Sequence, residues 1–493
     1  MAKLFVIATV AVAVAAPAVA QTTEPSDAGP AVPAAAAAPA KATGFPKEGL
    51  GLGPRFGPQY AMSRSAEDWS YLRDPATRKD RFDPLKFIPL DADGSTYLTL
   101  SGESRLRVET LGNPGLKASP RQDNELIRTF IGADLHLGTH LRVFGELASG
   151  QQFGSIPDNA NERNDLFVQQ LFAEVHGRVA GADAGVIYGR QDFLDGPVPL
   201  ISVRENNNIH TVLQGVRGYA RWNSVRVSIF DLNYVTLGQN WLDDPVSDTD
   251  HFRGANASIV VKRGKPGESF FLDPFYYHNT TGARRWGATS GREARSFYGL
   301  RAHGAVGPAD IDWTATYQGG SFDDRPIRAW SVSLNQTLPL SDKGWAPAIG
   351  FHADAGSGGG AFGDGPLRNA DFLFGTAPYL NDGRFFGPIN LASVSPMISL
   401  RPSRKITLRG EYSFLRRLKT EDAVYSFTKV AYAGTQNVSG HNAGRLARLR
   451  IGWALDRHIA VAGTIEHAFA GPVLTRAGFS DSDFAALQLS FRF

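Results

Sequence analysis

The chain has 493 residues, with 51 Lys and Arg against 48 Asp and Glu, 42% hydrophobic residues and no Cys. The lack of cysteine excludes a disulfide scaffold, a thiolate zinc site and a cysteine nucleophile. The hydrophobic content is too high for a disordered chain, and the balanced charge gives no footprint for nucleic acid. The 53 Gly, 31 Phe and 14 Tyr favour strands and turns over helices.

Residues 1–20 are predicted to be a removable secretory signal peptide. Lys3 gives the positive start, Leu4 to Ala16 the apolar stretch, and cleavage is expected between Ala20 and Gln21. The alternative, an N-terminal membrane anchor, needs about 20 apolar residues, and this run is shorter. No later stretch approaches 18 consecutive apolar residues, so the mature protein is expected to be periplasmic, secreted or a membrane β-barrel.

Two segments separate the signal from the main domain. Residues 21–43 are mostly Ala, Pro and Thr and are predicted to be a linker. Residues 44–95 mix polar and aromatic residues, as in the block from Glu67 to Asp74. This stretch is too short for a large core of its own, so we expect a periplasmic N-terminal segment that packs on another part of the protein.

From residue 96 to 493, apolar and polar residues alternate with the period of two that marks a β-strand with one apolar and one polar face. In the first strand, Leu106 and Val108 share one face and Arg105 and Arg107 the other. Eighteen such segments are predicted, starting near residues 96, 125, 140, 165, 184, 213, 224, 255, 268, 295, 309, 328, 346, 391, 405, 444, 457 and 482.

The connections are short after even-numbered strands and mostly long after odd-numbered strands. An even strand count with this alternation is typical of a transmembrane barrel of the outer membrane. We therefore predict an all-β fold, an 18-stranded antiparallel transmembrane β-barrel with short periplasmic turns and long extracellular loops. The alternative is a secreted β-sandwich or propeller, but no internal repeat of 40 to 50 residues supports a propeller.

Aromatic residues near strand ends are expected to form the girdles at the two membrane interfaces. The candidates are Trp313, Tyr317, Tyr412, Phe414, Trp453, Phe491 and Phe493. The final Phe493 also resembles the signal by which such barrels reach the barrel assembly machinery. An eighteen-stranded wall is wide enough to enclose an aqueous channel.

Catalytic motifs are weak throughout the sequence. His136 and His140 are four residues apart, but on a strand and its turn they do not converge as helical metal ligands do. No G-x-S-x-G motif and no phosphate-binding loop occurs. We therefore expect neither an enzyme nor a bound cofactor or metal.

The remaining signal is arginine on the inward face of the predicted strands. The arginines are Arg105, Arg107, Arg128, Arg142, Arg217, Arg226, Arg301, Arg409, Arg448 and Arg450, interleaved with the carboxylates Glu103, Asp134, Glu146, Glu174, Asp354 and Glu411. One interpretation is a ladder of mutually neutralising salt bridges that stiffens the wall. The other, not exclusive of the first, is an unneutralised excess of guanidinium groups that selects anions.

Several motifs in order resemble the alginate export family of outer-membrane porins, over about residue 60 to the C terminus. They are Glu67-Asp68-Trp69 through Leu90, Gly189 to Leu194, Val203-Arg204-Glu205, Gln214 to Arg217, Gly299-Leu300-Arg301, Tyr317 to Gly320 and Glu421 to Tyr425. The resemblance implies a monomeric 18-stranded barrel whose arginine-rich pore passes a polyuronate outward. By motif it also implies that Arg190, Arg204, Arg217 and Arg301 line the lumen. The segment from Gly356 to Asn390 departs from the family in being rich in Gly and poor in Lys.

The leading hypothesis is a passive outer-membrane channel for an anionic polysaccharide or oligosaccharide, in a Gram-negative bacterium. Its expected partners are outer-membrane lipid, the assembly machinery, the anionic solute and periplasmic export proteins. The alternatives are an uptake porin for small anions and, from another class, a structural or adhesion barrel with a plugged lumen.

Overall fold

The computed structural model describes residues 44–53, 55–56 and 60–493. The predicted signal peptide, its cleavage site and the linker lie outside these residues. Within the described residues, eighteen antiparallel strands form a closed barrel, which confirms the predicted fold class.

The barrel strands are numbered here in chain order. Their bounds are β1 Tyr97–Leu111, β2 Gln122–Leu137, β3 Leu141–Gly154, β4 Asn164–Val179, β5 Ala182–Asp192, β6 Val212–Arg221, β7 Val225–Val235, β8 Val246–Lys262, β9 Phe270–Trp286, β10 Thr289–Val306, β11 Ala309–Phe322, β12 Arg325–Pro339, β13 Ala348–Gly356, β14 Leu391–Ser403, β15 Ile406–Arg417, β16 Asn442–Ala454, β17 Ile459–Ala470 and β18 Ser482–Arg492.

The barrel closes where β18 pairs with β1, with Leu489 opposite Leu106. Most strands begin within three residues of their predicted starts. The exceptions are β8, which begins at Val246 instead of near 255, and β10, which begins at Thr289 instead of near 295. The added residues are polar apart from Val246, Phe252, Gly254, Gly291 and Ala294, and those that face outward carry no apolar alternation that would mark a lipid-facing strand.

The two faces of the wall have the polarity that the alternation predicts. On the outside, Leu106 and Ile131 are 45% and 65% exposed, whereas Arg105 and Arg128 on the inside are 1% and 0% exposed. Apolar side chains therefore face lipid, and the charged set faces a packed interior.

Long loops enter the barrel from one end. Inner loop 1 is residues 193–211, inner loop 2 is residues 357–390 and inner loop 3 is residues 418–441, which follow β5, β13 and β15. Phe372 and Phe374 of inner loop 2 and Tyr425 of inner loop 3 share a core with the inward-facing Tyr277 and Trp286. These loops come from the end opposite the short turns, which is the extracellular end by the usual arrangement of such barrels.

The helical turns are short and lie in loops and in the N-terminal segment, not in the strands of the barrel wall. The α-helical turns are Asp83–Lys86, Ala377–Leu380 and Pro472–Thr475, and the 3₁₀ turns are Lys47–Gly49, Arg64–Ala66, Ser70–Arg73, Pro75–Thr77, Pro114–Leu116 and Thr435–Asn437. Two-residue strands occur at Arg55–Phe56, Tyr60–Ala61 and Ile88–Pro89. No helix in the described part of the chain is long and apolar enough to cross a membrane.

The N-terminal segment, residues 44–93, lies at the end of the barrel that carries the short turns. The hydroxyl group of Tyr60 is 3.0 Å from Nδ1 of His458 in the turn after β16, and Arg226 at the start of β7 donates to the carbonyl of Gly49 at 2.9 Å. Arg64 reaches into the barrel, where it forms an ion pair with Glu103. The segment therefore crosses the periplasmic mouth.

The apolar side of this segment packs on inner loop 1. Trp69, Leu72 and Phe87 form one buried cluster with Leu194 and Val203 of that loop. The buried apolar side chains of the segment thus share one cluster with residues of the barrel interior.

Candidate pore and its charged lining

Most inward arginines pair with carboxylates on neighbouring strands. Glu103 on β1 accepts from Nε of Arg128 on β2 at 2.8 Å and lies 2.8 Å from Nε of Arg492 on β18. Arg142 on β3 bridges Asp134 at 2.7 Å and Glu174 at 3.2 Å. Arg492 stands directly opposite Glu103 and Arg142 directly opposite Glu174, whereas Arg128 and Asp134 are offset by two residues from their partners. All of these side chains lie on the same side of the wall, where direct and diagonal neighbours can both make contact.

The same pattern continues around the wall. Arg301 on β10 donates through two nitrogens to Asp312 on β11 at 2.6 and 2.7 Å. Arg217 on β6 lies 2.9 Å from Asp195 of inner loop 1, which also binds Arg226.

A further group of pairs lies on β15 and β16. Arg448 donates to Glu411 at 2.8 Å, and Arg409 lies 3.7 Å from the same carboxylate. Arg450 contacts Asp382 of inner loop 2 at 2.6 Å.

On β1, Arg107 pairs with Glu109, two residues along the same strand, at 2.5 Å. A neutralising ladder therefore accounts for the larger part of the predicted arginine set.

Two predicted carboxylates have no arginine partner on a neighbouring wall strand. Asp354 on β13 accepts from Ser333 and Tyr379 at 2.8 Å and lies 2.5 Å from His352. Glu146 on β3 is 3.7 Å from Arg64 of the N-terminal segment.

Arg105 is held by carbonyl groups instead of a carboxylate. Its guanidinium donates to the carbonyls of Glu205 and Asn207 at 2.5 and 2.8 Å, and to the Asn208 side chain at 3.1 Å. These carbonyl oxygens accept hydrogen bonds from the guanidinium but, being uncharged, do not neutralise its positive charge. Arg105 thus fixes inner loop 1 against the wall and leaves a positive charge in the interior.

Glu205 of inner loop 1 joins three cationic groups. It contacts Arg128 at 2.6 Å, Arg492 at 2.9 Å and Nε2 of His210 at 2.7 Å. Although burial by itself raises the pKa of Glu205, Arg128 and His210 hold it well below its ordinary value. Burial lowers the pKa of His210, but Asp192 and Glu205 outweigh burial and raise it.

Cations outnumber carboxylates at one place between the inner loops. The Asp371 cluster is defined as Arg204 of inner loop 1, Arg284 of β9, Asp371 and Arg384 of inner loop 2, and Lys429 of inner loop 3. Arg284 lies 3.0 Å from Asp371, and Nζ of Lys429 binds the same carboxylate. Arg384 lies 3.3 Å from Glu162, and its side chain is 43% exposed, so solvent reaches the cluster.

The guanidinium of Arg204 forms no hydrogen bond or ion pair with the residues that the structure describes, and its Nε is buried. Burial lowers the pKa of Arg204 to about 10, and the charges of Arg384 and Arg284 act in the same direction. Arg204 also has a φ of 60°, a left-handed conformation that is uncommon outside glycine. The loop therefore holds this cation in place at a conformational cost.

The pKa of Lys429 is strongly perturbed. Burial, and next the charge of Arg284, lower it to about 7, while Asp371 opposes the shift. At neutral pH the ammonium is therefore close to its titration midpoint.

A small cavity of about 40 Å³ lies beside the cluster, between the wall strands β11 to β13 and inner loops 1 to 3. Thr314, Ser333 and Asp354 line it from the wall, and Asp371 and Tyr379 line it from inner loop 2. Hydroxyl and carboxylate groups thus face apolar loop residues across a space of the size that holds water molecules.

Arg190, which the family motif assigns to the lumen, lies on the outer face of the wall. It stands opposite Leu171, which is 56% exposed on the outside, and Tyr188 two residues earlier is 69% exposed. Its guanidinium donates to the carbonyls of Val168 and Asp244 at the rim, at 3.2 and 3.0 Å. The alternation of β5 itself assigns Arg190 to the outer face, and only the family motif suggested the lumen.

Sequence reasoning missed four members of the Asp371 cluster. Arg384, Asp371 and Lys429 lie in loops, where no alternation shows which side chains point inward. Arg284 lies near the end of β9, beyond a shift of register between Thr281 and Arg284 that breaks the pattern. Within the described ranges, no group of three His, Asp or Glu side chains is arranged to hold a metal ion.

A family model described as alginate export matches residues 96–488. Solved structures with the same fold include OccK5 (OpdH) of Pseudomonas aeruginosa, with 11% identity and a TM-score of 0.53, where the match covers 80% of this chain and 98% of that one. OccK2 (OpdF) of the same organism, solved in complex with glucuronate, has 11% identity and a TM-score of 0.52 over 80% and 98%. OpdK of Pseudomonas aeruginosa, solved with vanillate, has 13% identity and a TM-score of 0.51 over 80% and 98%. No curated protein matches the chain.

Proposed function

Because this chain belongs to the alginate export family of outer-membrane porins, we propose that it is an anion-selective channel for uronate-containing oligosaccharides or polysaccharides. The Asp371 cluster carries the proposal, since it brings four cationic side chains together inside the barrel, of which Arg284 and Lys429 bind Asp371 and Arg384 lies near Glu162. Most of the other inward arginines are paired with carboxylates, and Arg105 is held by carbonyl groups.

The chemistry of the cluster suits a chain of carboxylates. Guanidinium groups bind carboxylates through two parallel hydrogen bonds, and a group without a fixed partner is free to bind a passing one. Transport requires binding that is weak and repeated, so that the solute moves on. Arg204 without a partner, and Lys429 near its titration midpoint, meet that requirement better than the tight pair of Arg301 and Asp312.

A structural neighbour supports the same class of solute. OccK2 was solved with glucuronate, a uronate monomer. The second candidate is accordingly an uptake porin for small organic anions, which needs the same cations but not a path long enough for a polymer. The family match favours the polymer.

Planar-bilayer recording of the purified full chain tests the proposal. Under a KCl gradient the reversal potential should indicate preference for chloride, and alginate oligomers should block the current. A preference for potassium would contradict the proposal. Block by glucuronate monomers alone, without added effect of longer oligomers, would favour the uptake porin.

We also propose that the protein is a monomer in a Gram-negative outer membrane and that Phe493 is its contact with the assembly machinery. Phe493 is only partly exposed and stacks on Phe82 of the N-terminal segment, with ring centroids 5.2 Å apart. Recognition of Phe493 therefore has to precede docking of that segment. A Phe493→Ala variant should reach the membrane in smaller amounts, whereas a Phe82→Ala variant should not.

A further inference from the structure

The outer wall carries a row of aromatic residues across β9 to β12. Tyr276, Tyr298, Tyr317 and Trp330 stand directly opposite one another on successive strands. Their side chains are 39%, 53%, 53% and 44% exposed. On β8 and β7 the same row continues through Ala255 and Ile229. This set is called the aromatic row.

The next outward-facing position on each strand, toward the extracellular end, is polar. The register places these residues side by side in one line, called the polar row, which consists of Asp231, Arg253, His278, Ser296, Gly319 and Arg328. The change thus occurs at the same register position on six adjacent strands, and every residue beyond it except Gly319 is polar. Because the strands of such barrels tilt by about 35–45°, this line rises by about 3 Å from one strand to the next.

On β10 the change lies near the edge of a bilayer core. The outward apolar positions run from Val306 to Tyr298, which at about 3.3 Å per residue is roughly 26 Å along the strand, or roughly 20 Å of height at a tilt of about 35–45°. The apolar band of such barrels is about 25 Å tall. The aromatic row is therefore expected near the interface of the outer leaflet, with the polar row beside the lipid headgroups.

The cations of the polar row have no partner in the described part of the protein. Arg253 and Arg328 are exposed, and their guanidinium groups make no hydrogen bond or ion pair with any described residue. The nearby carboxylates are engaged elsewhere, since Asp231 contacts His251 and Asp250 accepts from the amide of Gly282 at 2.8 Å.

The opposite side of the barrel differs in charge. On β1, β2 and β18 the outward residues toward the extracellular end are acidic or neutral, and Asp123, Glu125 and Asp483 are exposed there. The strands where the barrel closes thus do not share the basic character of β8 to β12.

We propose that this face binds a phosphate-bearing glycolipid of the outer leaflet, with the headgroup on Arg253 and Arg328 and the acyl chains along the aromatic row. Arg253 and Arg328 are four strands apart, or about 19 Å at 4.8 Å per strand, and long side chains shorten that gap from both ends. Two cations at that spacing match a headgroup with more than one phosphate. This lipid site goes beyond transport and does not depend on what the pore carries.

Binding of purified deep-rough lipopolysaccharide to the full chain in detergent micelles, measured by native mass spectrometry in EDTA, tests the proposal. A cation near an anionic membrane surface contributes about 1 kcal/mol, so the double variant Arg253→Gln with Arg328→Gln should bind about thirtyfold more weakly. Dephosphorylated lipopolysaccharide should bind the unaltered protein with a loss of similar size.

The matched control is Arg416→Gln with Arg445→Gln, which removes two exposed, outward-facing arginines near the extracellular end of β15 and β16. Its affinity should be unchanged, and Arg253→Lys with Arg328→Lys should retain most of the binding. Heat-modified gel mobility verifies that each variant is a folded barrel. Equal binding by the double variant and the unaltered protein, or an equal loss in the control, would overturn the proposal.

Discussion

Replacing Arg204 by Gln should reduce the anion preference of the channel without unfolding it. The guanidinium has no ion-pair partner among the described residues, so its removal leaves no carboxylate unpaired. Gln keeps a side chain at the same backbone conformation, whose φ is 60°, so the strain of the loop is unchanged.

The size of the effect follows from Coulomb's law. An anion about 5 Å from the guanidinium gains roughly 0.8 kcal/mol in water, and roughly 0.4 kcal/mol after screening at physiological salt. A cation loses the same amount. The ratio of anion to cation permeability should therefore fall by about fourfold.

The assay is the reversal potential of single channels in a planar bilayer under a tenfold KCl gradient. Arg190→Gln is the matched control, because it removes one arginine from the outer side of the wall. An unchanged reversal potential in Arg204→Gln would refute the assignment of this residue to the selective site. An equal shift in Arg190→Gln would refute the distinction between the two faces.

Three further outcomes are expected. Anion preference should fall as pH rises through about 7, because Lys429 loses its proton there, and Lys429→Met should remove that dependence; a flat profile in the unaltered protein would contradict the titration. Glu205→Gln should lower the free energy of unfolding in urea by about 3 kcal/mol, since it leaves buried Arg128 with one carboxylate fewer. Because the folded-state pKa of Glu205 is depressed, its contribution should be present above the ordinary pKa and lost on acidification, and stability that is insensitive to acid would count against it. Deleting residues 44–93 should raise single-channel conductance, because the segment crosses the periplasmic mouth; an equal conductance would show that it does not restrict the path.

The fold could be predicted from sequence because a lipid-facing wall imposes one rule on every strand. Leu106 and Arg105 must point to opposite sides, so the alternation gives both the strands and the inward set. The rule fails where no lipid is present, as at the polar starts of β8 and β10.

The selective site was less predictable for a related reason. Inner loops fold back into the barrel through tertiary packing, and nothing local in the sequence shows that Lys429 and Asp371 meet. Arg204 was suggested only by the family motif, and the same reasoning misplaced Arg190. Strand alternation would have been the better guide for Arg190, whereas for a loop residue it offers no information.

The most direct test of the central claim is uptake into proteoliposomes of an alginate hexamer compared with an uncharged hexasaccharide of similar length. A cationic lumen predicts faster entry of the alginate hexamer, with the difference reduced in Arg204→Gln and at high salt. Equal rates for the two sugars, or faster entry of the neutral one, would contradict the account.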